Sequence, residues 1–270
     1  QKYYNRKVII LLDEYDTPLH EVFAKNGYRS PDFEKTLNFM RLFFNSSFKA
    51  NPYISRVLMT GITHIAKQSL FSDFNNPIII TTTTNKYTDA CGFTAEEMED
   101  IFSEYDEIAD QKDAIKEYYD GYKFGNRDGI YNPWSISQLL DSGEVKPYWI
   151  STSSDRLLTQ YVRCGSVSVK QGMETLLNGG SIKTPMEESI TLEYMALDET
   201  AFWSLCVASG YLKITSYDGD IYELKFTNRE ISGHMAKSVK AWFRDDAENY
   251  NSFVKAMLSD NIKKMQIRLS

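Results

Sequence analysis

The sequence predicts an α/β fold followed by a mainly α region, with a helix, a hairpin and another helix near its C-terminal end. Five consecutive aliphatic residues, Val8 to Leu12, are typical of a strand buried on both faces of a parallel sheet. After residue 93, helix-start signals replace the strand patterns. Near the end, Asp218-Gly219 joins two strand-like runs as a hairpin turn does. These changes divide the chain into residues 1–93, 94–190 and 191–270.

The composition is that of a folded protein with an acidic surface. The chain has 270 residues, of which 42% are hydrophobic, which is enough for a packed core. Its formal net charge is -7, so it lacks the overall basic field on which non-specific DNA binding depends. No apolar run approaches the roughly 20 residues needed to span a bilayer, and no signal peptide opens the chain. We therefore expect a cytoplasmic protein with no membrane partner.

Cysteine and histidine spacing gives no sign of a disulfide framework or a zinc site. The cysteines are Cys91, Cys164 and Cys206, and the histidines are His20, His64 and His234. The cysteines are odd in number and widely spaced, and the histidines form no recognisable ligand spacing. We expect small buried or half-buried cysteines and structural or surface histidines.

Two carboxylates, Asp13 and Glu14, directly follow the first predicted strand. Two helices, from Thr17 to about Asn26 and from Ser30 to about Ala50, then lead to a second buried strand over 54–62. A strand–helix–strand crossover makes the two strands parallel. We therefore expect Asp13 and Thr60 at the same edge of the sheet, where α/β proteins bind ligands.

An Asp and a Glu at the tip of a buried strand fit phosphate chemistry. The Asp can hold Mg²⁺, usually through water, and the following Glu can polarise the water that attacks a phosphate. This is the Walker B pattern of P-loop NTPases. The alternative is that Asp13 and Glu14 form a helix-capping or turn-forming acidic doublet, and that Thr60 only ends its strand with a bond to the backbone.

The next segments predict one more strand and then the helical region. We expect a polar connector over 69–76, a β-branched strand at Ile78–Ile80, and a solvated threonine run at 81–84. Thr94 and Glu97 form a capping box that opens an amphipathic helix with an acidic outer face. Further helices are predicted over 113–119, 136–140 and about 155–162, with a turn at 120–125.

The C-terminal part predicts a helix from Asp198, strands at Tyr211–Thr215 and Ile221–Phe226, and a helix over about 230–243. This order resembles a winged-helix unit, and helices over 253–269 follow it. Only scattered basic residues lie near the wing, so its charge does not favour DNA binding. The acidic balance of the chain favours a protein partner or a homo-oligomer over nucleic acid.

Six segments occur in the order found in one bacterial family, the predicted AAA-ATPase-like proteins. They are residues 8–16, 58–63, 69–76, 91–94, 119–125 and 131–136. The resemblance covers roughly residues 7 to 260. It implies a P-loop NTPase parallel sheet with a helical lid and a winged-helix-like C-terminal region. Relatives often carry a further nuclease-like domain of the PD-(D/E)XK type.

The resemblance also implies residue roles. Asp13 would be the magnesium ligand, Glu14 the catalytic base, and Thr60 the sensor of the γ-phosphate. Asp16 matches the second acidic residue of the motif and would support cofactor binding. The implied cofactors are ATP and Mg²⁺, with nucleotide as the partner of the site.

The chain departs from the family at the phosphate-binding loop. No Walker A loop precedes the Walker B strand, and Gly180 to Thr184 lacks both the Walker A spacing and a preceding strand. Without the amide cradle and its lysine, the phosphates lose most of their binding groups. We therefore expect ATP and Mg²⁺ to bind only when a P-loop is supplied, and expect these 270 residues to be an inactive fragment that lacks the nuclease-like domain. The alternative function is a non-catalytic regulatory or interaction module of a bacterial defence or mobile-element system.

Overall fold

The protein combines α-helices with small β-sheets. The computed structural model describes residues 4–27, 30–62, 77–149, 158, 166–187 and 198–239. The strands are β1 (Val8–Leu12), β2 (Ile54–Met59), β3 (Tyr122–Phe124), β4 (Arg127–Ile130), β5 (Ile182–Pro185), β6 (Leu212–Asp218) and β7 (Ile221–Phe226). The helices are α1 (Thr17–Asn26), α2 (Pro31–Phe48), α3 (Ala95–Glu104), α4 (Asp106–Ala109), α5 (Lys112–Tyr119), α6 (Pro133–Ser142), α7 (Val167–Leu177) and α8 (Glu199–Ala208), and residues 229–239 are also helical. The predicted mixture of α and β structure is confirmed.

Strands β1 and β2 form a parallel pair, as predicted, with Leu11 opposite Leu58 and Leu12 opposite Met59. The prediction that the first strand is buried on both faces is wrong, because Leu11 is 73% exposed and Ile9 is 64% exposed. Side chains alternate along a strand, so Leu12 and Met59 pack against the core while Leu11 and Leu58 face away from it. In the described residues this sheet has two strands, and no second layer covers its outer face.

Helix α2 begins and packs as its sequence indicates. The Ser30 hydroxyl accepts a hydrogen bond from the Phe33 amide, and Pro31 occupies the first helical turn. The predicted stripe of Phe33, Leu37, Met40 and Phe44 is buried. It packs in a large cluster that also contains residues of α1, α7, α8, β6 and β7.

The predicted strand at Ile78–Ile80 is wrong. In the described part of the chain, residues 77–81 have no strand pairing, and the three isoleucines are exposed. Instead, the threonines that follow satisfy their own backbone in a turn. The Thr81 amide donates to the Thr84 hydroxyl at 3.0 Å, and the Thr84 amide donates to the Thr81 carbonyl at 3.1 Å. The threonine run is therefore a loop.

The helical region follows the sequence in outline. The capping box is present, with the Thr94 amide donating to Glu97 Oε2 at 2.8 Å. Helix α6 begins at Pro133, earlier than predicted, because Asn132 caps it by accepting from two amides. The turn predicted at 120–125 is part of an antiparallel hairpin, β3–β4, whose short strands carry no clear alternation. A second core holds this region together, and it includes Met98, Phe102, Ile108, Ile115, Tyr119, Ile136 and Leu139.

The C-terminal unit contains the predicted hairpin. Strands β6 and β7 pair antiparallel across Asp218 and Ile221, and β5 adds to β7 to give the order β5-β7-β6. Strand β5 and helix α7 are not among the elements that the sequence predicts. The winged-helix interpretation, the domain boundaries and the P-loop NTPase sheet stay predictions. The connector at 69–76, the helix at 155–162 except Leu158, His64, Cys164 and the tail 253–269 lie outside the described residues.

A buried carboxylate joins the helical region to the C-terminal unit. Glu230 is fully buried, and its Oε1 accepts hydrogen bonds from the amides of Tyr148 at 2.6 Å and Trp149 at 2.9 Å. Its Oε2 accepts from the Ser135 hydroxyl at 2.8 Å. Burial raises the pKa of Glu230, and this effect outweighs the three hydrogen bonds, each of which lowers the pKa. Glu230 therefore fixes how these segments pack.

A search of the described helices finds none long and apolar enough to cross a membrane.

Candidate functional site

The carboxyl ends of β1 and β2 bring Asp13 and Thr60 together. The Thr60 amide donates to the Leu12 carbonyl at 2.9 Å, and the Tyr15 amide donates to the Thr60 carbonyl at 3.0 Å. These bonds extend the parallel pairing past the last strand residues. The Thr60 hydroxyl then donates a short hydrogen bond to Asp13 Oδ1. The expected placement of both residues at one edge is therefore observed.

Glu14 lies beside them in an unusual backbone conformation. Its φ is 48°, in the left-handed region that residues other than glycine rarely adopt. The Glu14 amide points at Asp13 Oδ1, at 3.1 Å, and at the Thr60 hydroxyl, at 3.3 Å. Its own Oε2 accepts from the Thr17 hydroxyl at 3.1 Å. Strain of this kind is often found at functional sites, where surrounding contacts hold it in place.

Asp16 has a different setting from the other two carboxylates. It is 1% exposed, and its Oδ2 accepts from the Ile62 amide at 3.0 Å. The same oxygen lies 3.3 Å from His20 Nε2, one helical turn further along the chain. Asp16 therefore holds the start of α1 against the segment after β2. Its contact with a cofactor stays a prediction.

His20 was not selected from the sequence as part of this site. It is buried, and burial lowers its pKa, while the charges of Asp16 and Glu14 oppose that shift. A neutral His20 can donate its Nε2 proton to Asp16. The signal in the sequence is the four-residue spacing of Asp16 and His20 at a helix start, which places both side chains on one face.

Gly61 makes room for this arrangement. A Cβ atom at Gly61 would lie 2.6 Å from Tyr15 Cε1 and 2.7 Å from Asp16 Oδ1. Real Cβ atoms do not approach neighbours so closely, so any side chain would displace the turn after β1. In the sequence, Gly61 lies within the predicted strand 54–62, and no local signal marks this close packing.

The donor set suits a cation that is shared with phosphate rather than a complete protein metal site. Among the described residues, no three His, Cys, Asp or Glu side chains form a cluster that could hold a metal. Magnesium usually keeps several waters and takes one or two carboxylates together with substrate phosphates. Within the described residues, the two hydrogen bonds to Asp13 both use Oδ1, which leaves Oδ2 for such a ligand. The residues present therefore fit a Mg²⁺ ion that arrives with a nucleotide.

The segment from Gly180 to Thr184 does not have the structure of a phosphate-binding loop. Residues 182–185 form strand β5 and pair with β7, and the Ser181 hydroxyl donates to Glu223 Oε1. The segment is therefore no strand-to-helix loop. The candidate site at the edge of β1 and β2 therefore consists of Asp13, Glu14 and Thr60.

Comparisons with known proteins give two similarities. The sequence profile of a family described as "Predicted AAA-ATPase" matches residues 1–71, a stretch that contains both parallel strands. The chain is also similar to the "Uncharacterized protein in vnfD 5'region" of Azotobacter chroococcum mcd 1, with 25% identity over 241 residues. That match covers 86% of this chain but 43% of the relative, so the chain spans less than half of the relative's length. No solved structure matches the chain.

Proposed function

We propose that this chain supplies one half of a Mg²⁺-dependent ATP-hydrolysis site in a longer AAA-ATPase-like protein. The observation that carries the proposal is the meeting of Asp13, Glu14 and Thr60 at the carboxyl edge of two parallel strands. That edge is where open α/β sheets bind ligands. The similarity of residues 1–71 to a predicted ATPase family supports the same reading.

Each residue has a chemical role in this proposal. Asp13 would hold the cation, with Oδ2 available because its Oδ1 accepts from the Thr60 hydroxyl and the Glu14 amide. Glu14 is the base that orients and deprotonates the attacking water, and its exposed carboxylate is held by Thr17. Thr60 fixes the Asp13 carboxylate and senses the γ-phosphate. When bound, Mg²⁺ neutralises charge on the phosphate oxygens.

The outer face of the strand pair supports a site that is completed by further polypeptide. Leu11 and Leu58 lie opposite each other on this face, and both are largely exposed. Parallel sheets are normally covered on both faces. The matched relative is more than twice as long as the aligned part. We infer that additional strands and a helix, with the missing phosphate-binding loop, cover this face.

The test is ATP turnover by the longer protein that contains this chain. Turnover should require Mg²⁺ and should fall by at least about a hundredfold in Glu14→Gln, since the water then lacks its base. Glu34→Gln, on the exposed side of α2, is the matched control and should retain the rate of the unmodified protein. The 270-residue chain alone should not hydrolyse ATP. Equal rates for Glu14→Gln and the control would remove Glu14 from the mechanism.

A protein-interaction module is the second candidate. The observation that favours it is an apolar stripe on the outer side of α2, where Phe39, Leu42 and Phe43 are exposed. Apolar surfaces of this kind mark contacts with protein more often than with nucleic acid. Light scattering of the chain tests self-association. A Phe39→Lys, Leu42→Lys variant should lower the measured mass if the stripe joins copies, and an unchanged mass would exclude this face from the contact.

A further inference from the structure

A cavity of about 300 Å³ lies away from the residues of the proposed ATPase site. Its walls come from the threonine loop, from the β3–β4 hairpin, and from the part of the C-terminal sheet that follows α8. The lining includes Thr82, Lys123, Lys213, Tyr217 and Tyr222. No residue of the Asp13 site lines it.

Backbone contacts fix one wall of the cavity. The Gly125 amide donates to the Thr82 carbonyl at 2.7 Å, and the Asn126 amide donates to Asn85 Oδ1 at 2.7 Å. Gly125 has a φ of 54°, and a Cβ atom there would lie 2.3 Å from Asn85 Oδ1. The threonine loop can therefore pack on the hairpin only because residue 125 is a glycine.

A second glycine fixes the opposite wall. Gly210 has a φ of 80°, and a Cβ atom there would lie 2.9 Å from the Tyr122 ring. The Thr227 hydroxyl also donates to the Gly210 carbonyl at 2.6 Å. The end of α8 and the segment just before the helix 229–239 are thereby joined at the cavity. Both walls of this partly open space are therefore held in place by the fold.

The charge of the lining is opposite to that of the protein. The chain carries 37 Asp and Glu residues against 30 Lys and Arg, yet the described residues that line the cavity include two lysines and no Asp or Glu. Lys123 Nζ lies 3.4 Å from an oxygen of the exposed Asp128, and Lys213 Nζ lies beside Gly121 and the Asp120 charge. Both acids offset the lysine charges. The Asp128 ion pair is exposed and therefore weak, so a phosphate with its two negative charges can displace it from Lys123.

Aromatic rings and hydroxyl groups complete the lining. The rings of Tyr217 and Tyr222 lie 4.7 Å apart at 39°, and Tyr217 is 60% exposed. An exposed tyrosine ring offers a platform for a planar group, and stacking of this kind tolerates any base. Thr82 adds a hydroxyl group, which can donate a hydrogen bond to a phosphate oxygen, whereas the Thr83 hydroxyl already lies 2.8 Å from that of Thr81.

We propose that this cavity binds a nucleoside monophosphate, an anion that carries one planar base. The two lysines and the Thr82 hydroxyl bind the phosphate, and the Tyr217–Tyr222 pair binds the base. A volume of about 300 Å³ is at the lower end of ligand sites, which suits one nucleotide and not a dinucleotide. The proposal is independent of ATP hydrolysis at Asp13.

Calorimetric titration of the full 270-residue chain tests this assignment. The probes are AMP, CMP, adenosine and inorganic phosphate, all without Mg²⁺. Both monophosphates should saturate the chain at one site, and adenosine and phosphate should each bind at least about tenfold more weakly. An Asp13→Ala variant should bind the monophosphates unchanged, which separates this cavity from the proposed ATPase site.

Charge reversal on the β6–β7 hairpin supplies a matched pair. Lys213→Glu should weaken binding by at least about tenfold, because it places a negative charge beside the phosphate. Lys225→Glu, on the register partner in β7, should have less than a twofold effect, since Lys225 is exposed and outside the lining. Tyr217→Ala should weaken both monophosphates without changing phosphate binding. Circular dichroism should show that all three variants are folded.

Three results would overturn the proposal. The first is no saturation by either monophosphate at about 5 mM, a concentration well above typical ligand affinities. The second is an equal loss in Lys213→Glu and Lys225→Glu, which would show general charge attraction and no site. The third is tighter binding of a short oligonucleotide with the same dependence on Lys213 and Tyr217, which would make the surface a nucleic-acid site.

Discussion

Thr60 donates a hydrogen bond to Asp13 Oδ1, although 47 positions separate the two residues in the chain. The contact depends on the register of β1 and β2, in which Leu12 lies opposite Met59 and each strand ends one residue before its polar group. It is a consequence of parallel pairing. The Asp13 carboxylate is therefore oriented from a neighbouring strand and not by its own turn alone.

Replacing Thr60 by valine should disorient Asp13. Valine keeps the shape of threonine but loses the hydroxyl that contacts Asp13 Oδ1 and the Glu14 amide. In the longer protein, we expect ATP turnover to fall by about tenfold or more, as for one lost hydrogen bond to a charged group. Thr60→Ser retains the hydroxyl and should keep most of the activity. Equal rates for the valine and serine variants would contradict this orienting role.

Replacing Gly61 by alanine should destabilise the fold. The new Cβ would overlap Tyr15 and Asp16, so the turn after β1 must shift. Overpacking of this kind costs about 1–3 kcal/mol, which urea unfolding measures. Gly233→Ala is the control, because its Cβ meets no atom within 4 Å and it lies in the helix 229–239. Alanine there should leave the free energy of unfolding unchanged or raise it by up to about 1 kcal/mol.

The sequence predicted the local elements around the site because their signals are local. Ser30-Pro31 starts α2, Thr94 with Glu97 starts α3, and Asp218-Gly219 turns the β6–β7 hairpin. Parallel pairing followed from the strand–helix–strand order, and it placed Asp13 beside Thr60.

Features that depend on distant partners could not be predicted in this way. An aliphatic run cannot reveal whether a layer covers each face, so Leu11 was expected to be buried. The backbone of Thr81 is satisfied by Thr84 rather than by a strand, and β5 is a strand only because β7 lies beside it. The contact between Asp16 and Ile62 likewise appears only in the fold.

The Asp16–His20 pair should make stability depend on pH. Burial lowers the pKa of His20 below its ordinary value of 6.5, so the folded state favours neutral histidine. The contribution of neutral His20 is present above about pH 6.5 and is lost as pH falls through the lowered pKa. His20→Gln cannot be protonated, so its free energy of unfolding should change less between about pH 8 and about pH 5. If the free energy of unfolding changes equally with pH in the two proteins, His20 is not the source of the pH dependence.

Glu230 should give the opposite dependence in a more acidic window. Its pKa is raised above the ordinary value of 4.5, so its contribution is present below about pH 4.5 and is lost as pH rises through the raised pKa. Glu230→Gln keeps an acceptor for the amides of Tyr148 and Trp149 and should be at least as stable as the unmodified protein near about pH 7.

Glu230→Ala is the contrasting variant. It leaves the buried amides of Tyr148 and Trp149 without their acceptor and should cost about 2–4 kcal/mol in urea unfolding. Equal losses in Glu230→Gln and Glu230→Ala would show that the charge of Glu230, rather than its hydrogen bonds, holds the segments together.

Separate measurements of ATP binding and ATP hydrolysis in the longer protein test whether Asp13 and Glu14 belong to an ATPase site. Glu14→Gln should bind ATP and Mg²⁺ with nearly unchanged affinity while a single turnover slows by at least about a hundredfold, because only the base is lost. Asp13→Ala should instead weaken the dependence of ATP binding on Mg²⁺. If the Glu14→Gln protein hydrolyses bound ATP at the rate of the unmodified protein, Glu14 is not the base of this site.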